Sequence, residues 1–118
     1  MISIPRDKIV FTLTCEQDFT TDMENELADC TCPKDLEILR ERLKRGDDWA
    51  WAEVTVTATY GDFTGMAHLG GCSYDSEEDF RDGGYLEAME DDAMYDLLQN
   101  VSRFLERAAK LMVDLALG

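Results

Sequence analysis

Ten carboxylates crowd into residues 75–96: Asp75, Glu77, Glu78, Asp79, Asp82, Glu87, Glu90, Asp91, Asp92 and Asp96. One base, Arg81, lies among them, so the segment holds nine of the chain's fifteen net negative charges. Carboxylates at such density do one of three kinds of chemistry. They act as general acids and bases, they ligate hard cations, or they stand in for phosphates before a cationic partner. Like charges this close also repel, so the cluster costs folding free energy. A solvated acidic surface is the plain reading and a partner-binding face the sharper one.

General acid–base work requires a carboxyl tuned by its surroundings, which an exposed row does not provide. Calcium in a helix–loop–helix site needs glycine at the sixth loop position and glutamate at the twelfth. Counted from Asp75, those positions are Phe80 and Leu86. Phosphate mimicry fits better. On a helix starting at Tyr85, Glu87, Asp91, Asp92 and Asp96 lie across from Leu86, Met89, Ala93 and Leu97, with Tyr95 among the acids. Acids four apart have Cβ atoms about 5–6 Å apart, comparable with the spacing of successive phosphates. Duplex DNA carries one charge per ~1.7 Å, so nine net charges correspond to about 15 Å of duplex. The expected partner-binding residues are therefore Tyr95 and the ten acids, with Tyr74, Phe80 and Tyr85 supplying apolar contacts between them.

Other reactive residues are few. Cys30, Cys32, His68 and Cys72 spell C-x-C…H-x3-C, three thiols and an imidazole of the kind tetrahedral zinc takes. C-x-C is an unusual zinc knuckle, and its halves lie far apart in sequence. Small buried thiols, Cys15 included, are the better reading, so neither metal nor cofactor is expected. A Cys72–His68 nucleophile pair has little support. Neither Gly70-Gly71 nor Gly83-Gly84 builds a phosphate-cradling motif. The chain reads as a non-enzyme.

The elements that position the acids are legible in outline. Ile9, Phe11 and Leu13 alternate with Val10, Thr12 and Thr14 over residues 8–14, which predicts a strand with the first set buried. Residues 22–29 predict a short helix capped by Asp22. Pro33 opens a second helix carrying Leu36, Leu39 and Leu43; Arg40, Arg42, Lys44 and Arg45 suit its C-terminal half, and Gly46 stops it. Residues 49–60 alternate cleanly, with Val54, Val56, Ala58 and Tyr60 facing the core and Thr55, Thr57 and Thr59 facing away. Gly61-Asp62 turns the chain back into residues 63–69, where Phe63, Gly65, Ala67 and Leu69 share a face and Gly70-Gly71 ends the strand.

Residues 85–117 hold neither glycine nor proline. Met94, Leu98, Val101, Leu105, Ala108, Met112 and Leu115 follow alternating steps of four and three, a heptad seam. One helix there would run about 50 Å, longer than a three-stranded sheet covers; the plain reading is that the stripe packs on the sheet, and the sharper one is that its last half also pairs with a second copy as a homodimer. The fold expected is α+β in a single domain over residues 1–118: a three-stranded antiparallel sheet, an N-terminal helical insertion and a long C-terminal helix.

Twenty-six acids against eleven bases make nucleic acid and anionic membranes poor partners and basic proteins good ones. No apolar run reaches membrane-spanning length. The first residues, MISIPRDK, lack a secretory pattern, and a cytosolic protein is expected.

Residues 49–89, WAWAEVTVTATYGDFTGMAHLGGCSYDSEEDFRDGGYLEAM, resemble small acidic proteins of phages and mobile elements. In size and charge the whole chain resembles anti-CRISPR and anti-restriction DNA mimics, a likeness of class without a shared motif. That resemblance implies an inhibitor of a host-defence DNA-binding complex, in the first place a CRISPR surveillance complex, that blocks target DNA. The alternative is an immunity protein or antitoxin that binds a basic nuclease toxin.

Overall fold

The computed structural model describes residues 2–28 and 31–118. A 3-10 turn, Arg6–Lys8, leads into strand β1, Val10–Gln17. Helix α1, Met23–Leu27, and helix α2, Pro33–Lys44, follow. Strands β2, Ala52–Tyr60, and β3, Phe63–Cys72, form a hairpin, and helices α3, Glu77–Asp82, and α4, Tyr85–Leu117, complete the order. The sheet is antiparallel in the order β1-β2-β3. This is the expected α+β arrangement, with α1 and α2 inserted between the first two strands.

Alternation along the strands selects the buried face. Ile9, Ala52, Val54, Val56 and Ala58 are buried, while Phe11, Leu13, Ala67 and Leu69 pack partly against them. The other face carries Thr12, Thr14, Thr55, Thr57, Thr59 and Thr64, residues suited to a solvated pleat. Asp22 caps α1 by accepting from the Glu24 N–H at 3.0 Å, Pro33 opens α2, and Gly46 at φ +83° follows it.

Helix α4 lies along β3 and over β2, burying Met89, Ala93, Leu97 and Val101. Its closest approach is at Gly65. A Cβ there would fall on the backbone of Ala93 and Leu97, 2.7 Å from the Leu97 Cα. Only glycine on the strand, with alanine opposite, allows the two backbones to touch. Two α4 side chains then satisfy the outer edge of β3: Asp96 accepts from the Met66 N–H at 2.9 Å, and Asn100 donates to the Thr64 carbonyl at 2.8 Å. An edge strand otherwise presents such groups unpaired. Below α4, Phe80 of α3 is fully buried against Trp49 and Tyr74, with ring centroids 5.6 and 5.1 Å away.

Several local expectations change. Trp49 and Ala50 belong to a 3-10 turn, Asp48–Ala50, because Asp47 accepts from the Trp49 N–H and bends the chain before β2 begins. Gly70-Gly71 does not end β3. The register slips between Val54↔Leu69 and Ala52↔Cys72, so one extra residue bulges out, with Gly71 at φ +61°. Tyr60 sits at the hairpin end beyond the core and is exposed. The length of α4 is as expected, and the helix outruns the sheet: its seam packs only as far as Val101, and Leu105, Met112 and Leu115 are exposed.

Two outcomes follow. Gly65→Ala should lower stability by about 3 kcal/mol or more, since backbone cannot yield as a side chain does, measured by urea unfolding. Val56→Asp should unfold the protein by placing a charge in the core without a partner. Thr57→Asp, on the solvated face, should leave the thermal midpoint nearly unchanged.

Candidate functional site

At 100° per residue, the buried face of α4 is centred on Ala93 and Leu97. Glu90 and Asp96 fall on either border of that face, and Glu87, Asp91, Asp92 and Tyr95 lie farther round. The borders are where carboxylates find partners. Asp96 is tied to β3, and Arg6 reaches across from the start of the chain, with Nη2 3.1 Å from Glu90 and Nη1 2.7 Å from Asp91. The same guanidinium stacks over the Phe11 ring, 4.9 Å from its centroid.

The acids of the α3 region divide similarly. Ser76 caps α3 by accepting from the Asp79 N–H, and Asp79 accepts from the Asp75 N–H at 3.0 Å. Glu77 pairs with Arg81 one turn later. Arg42 of α2 donates to the Tyr74 and Asp75 carbonyls and pairs with Asp47, which anchors the approach to α3. Among the described residues, the side chains of Glu78, Asp82, Glu87 and Asp92 have neither hydrogen bond nor ion pair, and all four are exposed. Asp75 is exposed and engages through its backbone.

The eleven expected contact residues thus separate. Glu77, Asp79, Glu90, Asp91 and Asp96 are engaged within the fold; Asp75, Glu78, Asp82, Glu87, Asp92 and Tyr95 are presented to solvent. Of the aromatic residues expected between the acids, Tyr85 and Tyr95 are exposed. Phe80 is buried and Tyr74 packs on it, so these two belong to the core. An open groove lined by Arg6, Arg81, Leu86, Glu87 and Glu90 runs beside the row, so two cations interrupt the acidic surface.

His68 and Cys72 stand on opposite faces of the sheet. The His68 Nδ1 is 2.9 Å from the Thr55 hydroxyl on the solvated side, while Cys72 packs on the core and donates to the Ala52 carbonyl. Cys32 is exposed at the start of α2, and Cys30 lies outside the described residues. No metal-holding group of His, Cys, Asp and Glu occurs among the described residues. Burial pushes the Cys15 thiol up to about 12 and the Cys72 thiol upward, so both remain protonated at neutral pH.

Asp18 is the polar centre that sequence reasoning missed. It is 3% exposed. Its Oδ1 accepts from the Thr20 N–H and hydroxyl and the Thr21 N–H, and its Oδ2 accepts from the Thr21 hydroxyl at 2.6 Å and the Gly71 N–H at 2.7 Å. Trp51 donates its indole N–H to the Thr21 hydroxyl at 3.1 Å. Burial alone pushes the Asp18 carboxyl up; the donors, Thr21 first, outweigh it and hold the carboxyl well below the usual range. The signal was Asp18 followed by Thr20-Thr21, a local side-chain turn. The far partner, Gly71 in the β3 bulge, has no sequence signal. Arg6 was missed for a similar reason, standing 85 residues from Asp91.

No helix is long and apolar enough, among the described residues, to cross a membrane. No family model matches the chain, and neither a curated protein nor a solved structure matches it.

The Asp18 centre fixes a pH dependence. A carboxyl whose folded pKa is depressed contributes stability that is fully present above its unfolded value, near 3.8, and is lost as pH falls towards the folded one. Asp18→Asn should cost about 3 kcal/mol at neutral pH, because several donors lose a charged acceptor. Denaturation of both proteins across the acid range should show the gap closing below the aspartate range.

Proposed function

We propose that the protein is a non-catalytic inhibitor of a basic DNA-binding complex of host defence, a CRISPR surveillance complex in the first place. It acts in the cytoplasm of a bacterial host by occupying the cleft built for target DNA. One observation carries the reading: Glu78, Asp82, Glu87 and Asp92 are exposed carboxylates without an ion-pair partner among the described residues. A cationic cleft gains their full interaction without breaking an existing bond. Glu90 and Asp91 would first have to be shared with Arg6. Tyr95 and Tyr85 add exposed aromatic surface, of the type enriched at interface centres. The net charge of −15 supplies long-range steering towards a basic partner and away from nucleic acid itself.

Electrophoretic competition tests the proposal. The protein should displace target DNA from the surveillance complex, and the triple variant Glu78→Lys, Glu87→Lys, Asp92→Lys should fail to do so while remaining folded. Asp96→Asn, which loosens β3 from α4, should lower stability more than it lowers binding. Affinity should fall with salt, less steeply than the slope of about −0.9 per phosphate contact that DNA gives. Tyr95→Ala should weaken binding equally at every salt concentration. Salt-independent binding would count against the mimic. Suppression of a nuclease without displacement of DNA would assign the acidic face to an immunity protein instead.

A further inference from the structure

The face of α4 that buries Ala93, Leu97 and Val101 does not stop where the sheet stops. It continues through Phe104, Ala108, Leu111 and Leu115, at steps of four and three, with Leu105 and Met112 along one flank. Phe104 still touches the domain, its ring centroid 5.2 Å from that of Phe63. Beyond it, every residue of α4 except Ala108 is exposed, and the molecule measures 69 Å along its longest axis against 29 and 24 Å across. Met112 and Leu115 are about seven-tenths exposed. Five large apolar side chains, each leaving on the order of 100 Å² uncovered, make about 500 Å², more than half of the ~800 Å² that a standard interface takes from each partner. That lies in the upper part of the range of about 300–600 Å² for the largest apolar patch on a monomer.

We propose that this half of α4 pairs with the same half of a second copy, antiparallel, about a two-fold axis between Ala109 and Lys110. In that register, Phe104 meets Leu115 of the partner copy and Ala108 meets the partner's Leu111, a large side chain opposite a small one. Leu105 meets the partner's Met112 on one flank. On the other flank, Arg107 meets the partner's Asp114, and the axis makes that ion pair twice. Each Leu115 lands beside the Phe104 that already rests on Phe63, so each copy extends the other's core.

Electrostatics selects the second copy and the direction. Residues 97–118 carry Arg103, Arg107 and Lys110 against Glu106 and Asp114, a net charge of +1, whereas residues 75–96 carry −9. Two copies that each carry −15 therefore approach at the C-terminal end of α4 with less repulsion than at its acidic start. In the antiparallel register, the two Asp96 residues lie about 40 Å apart at 1.5 Å per residue. That is far beyond the ~8 Å over which salt leaves charges coupled. A parallel pair would set the two acidic halves of α4 side by side and place Arg107 against Met112.

Analytical ultracentrifugation of the full chain from low to high micromolar concentration tests it. The protein should sediment as a dimer, and Leu111→Glu should give a monomer with unchanged circular dichroism per residue. Arg107→Glu and Asp114→Lys should each raise the dissociation constant about tenfold or more, and the double variant should restore it. A chain that remains monomeric throughout overturns the proposal. So does a monomer that sediments with anionic phosphatidylglycerol vesicles, which would assign the stripe to a lipid surface. A dimer indifferent to Leu111→Glu also overturns it, and two charge reversals that add rather than compensate overturn the register.

Discussion

Contact between the backbone of α4 and the backbone of β3 at Gly65 is the constraint on which the other features depend. A helix usually rests on a sheet through two layers of side chains. Here glycine on the strand and Ala93 on the helix remove those layers at one point. The contact fixes three things together: how close α4 lies, how it is rotated about its own axis, and where along its length it meets the sheet. Leu97, Val54 and Val56 then fill the space on either side, each fully buried side chain contributing about 1.5–3 kcal/mol.

Rotation of α4 determines the meaning of its charges. With Ala93 and Leu97 against the sheet, Asp96 reaches the Met66 N–H and Asn100 reaches the Thr64 carbonyl, so the exposed edge of β3 is closed by side chains of the helix that covers it. Glu90 is turned towards Arg6. Asp91 lies farther round and is still held by Arg6, while Glu87 and Asp92 have no ion pair among the described residues. One helix thus uses some acids to fasten itself and exposes others, and the difference between them is an angle of rotation. Side-chain type does not distinguish Asp92 from Asp96.

The axial position of α4 determines the other surface. The sheet accepts the helix from Met89 to Val101, and the helix runs to Leu117. Its first turns are acidic and its last turns are apolar with basic residues among them, so the two exposed parts differ in chemistry as well as in place. On the opposite side of the domain, Asp18 fastens the turn after β1 to the bulge in β3, with Thr21 bridging to Trp51. That buried carboxylate holds together two segments 53 residues apart and leaves the sheet free to carry α4 along its far strand.

Sequence alone determined what local patterns encode. Alternation identified the three strands and their buried faces. Asp22, Pro33 and Gly46 marked helix ends, and the absence of glycine and proline over residues 85–117 marked one long helix. The density of acids over residues 75–96 was also visible, because charge is a property of the residue and needs no neighbour. Tertiary structure decided which of those acids are free. That depends on Arg6, on the edge of β3 and on the rotation set at Gly65, all contacts between segments far apart in the chain, with no periodic trace. It also decided that Phe80 is core although it is flanked by acids, that Gly71 makes a bulge where a strand end was expected, and that Val101 is where the sheet's cover of the α4 seam ends. A repeat of four and three records which residues share a face. Only the extent of the surface opposite tells how much of that face is covered.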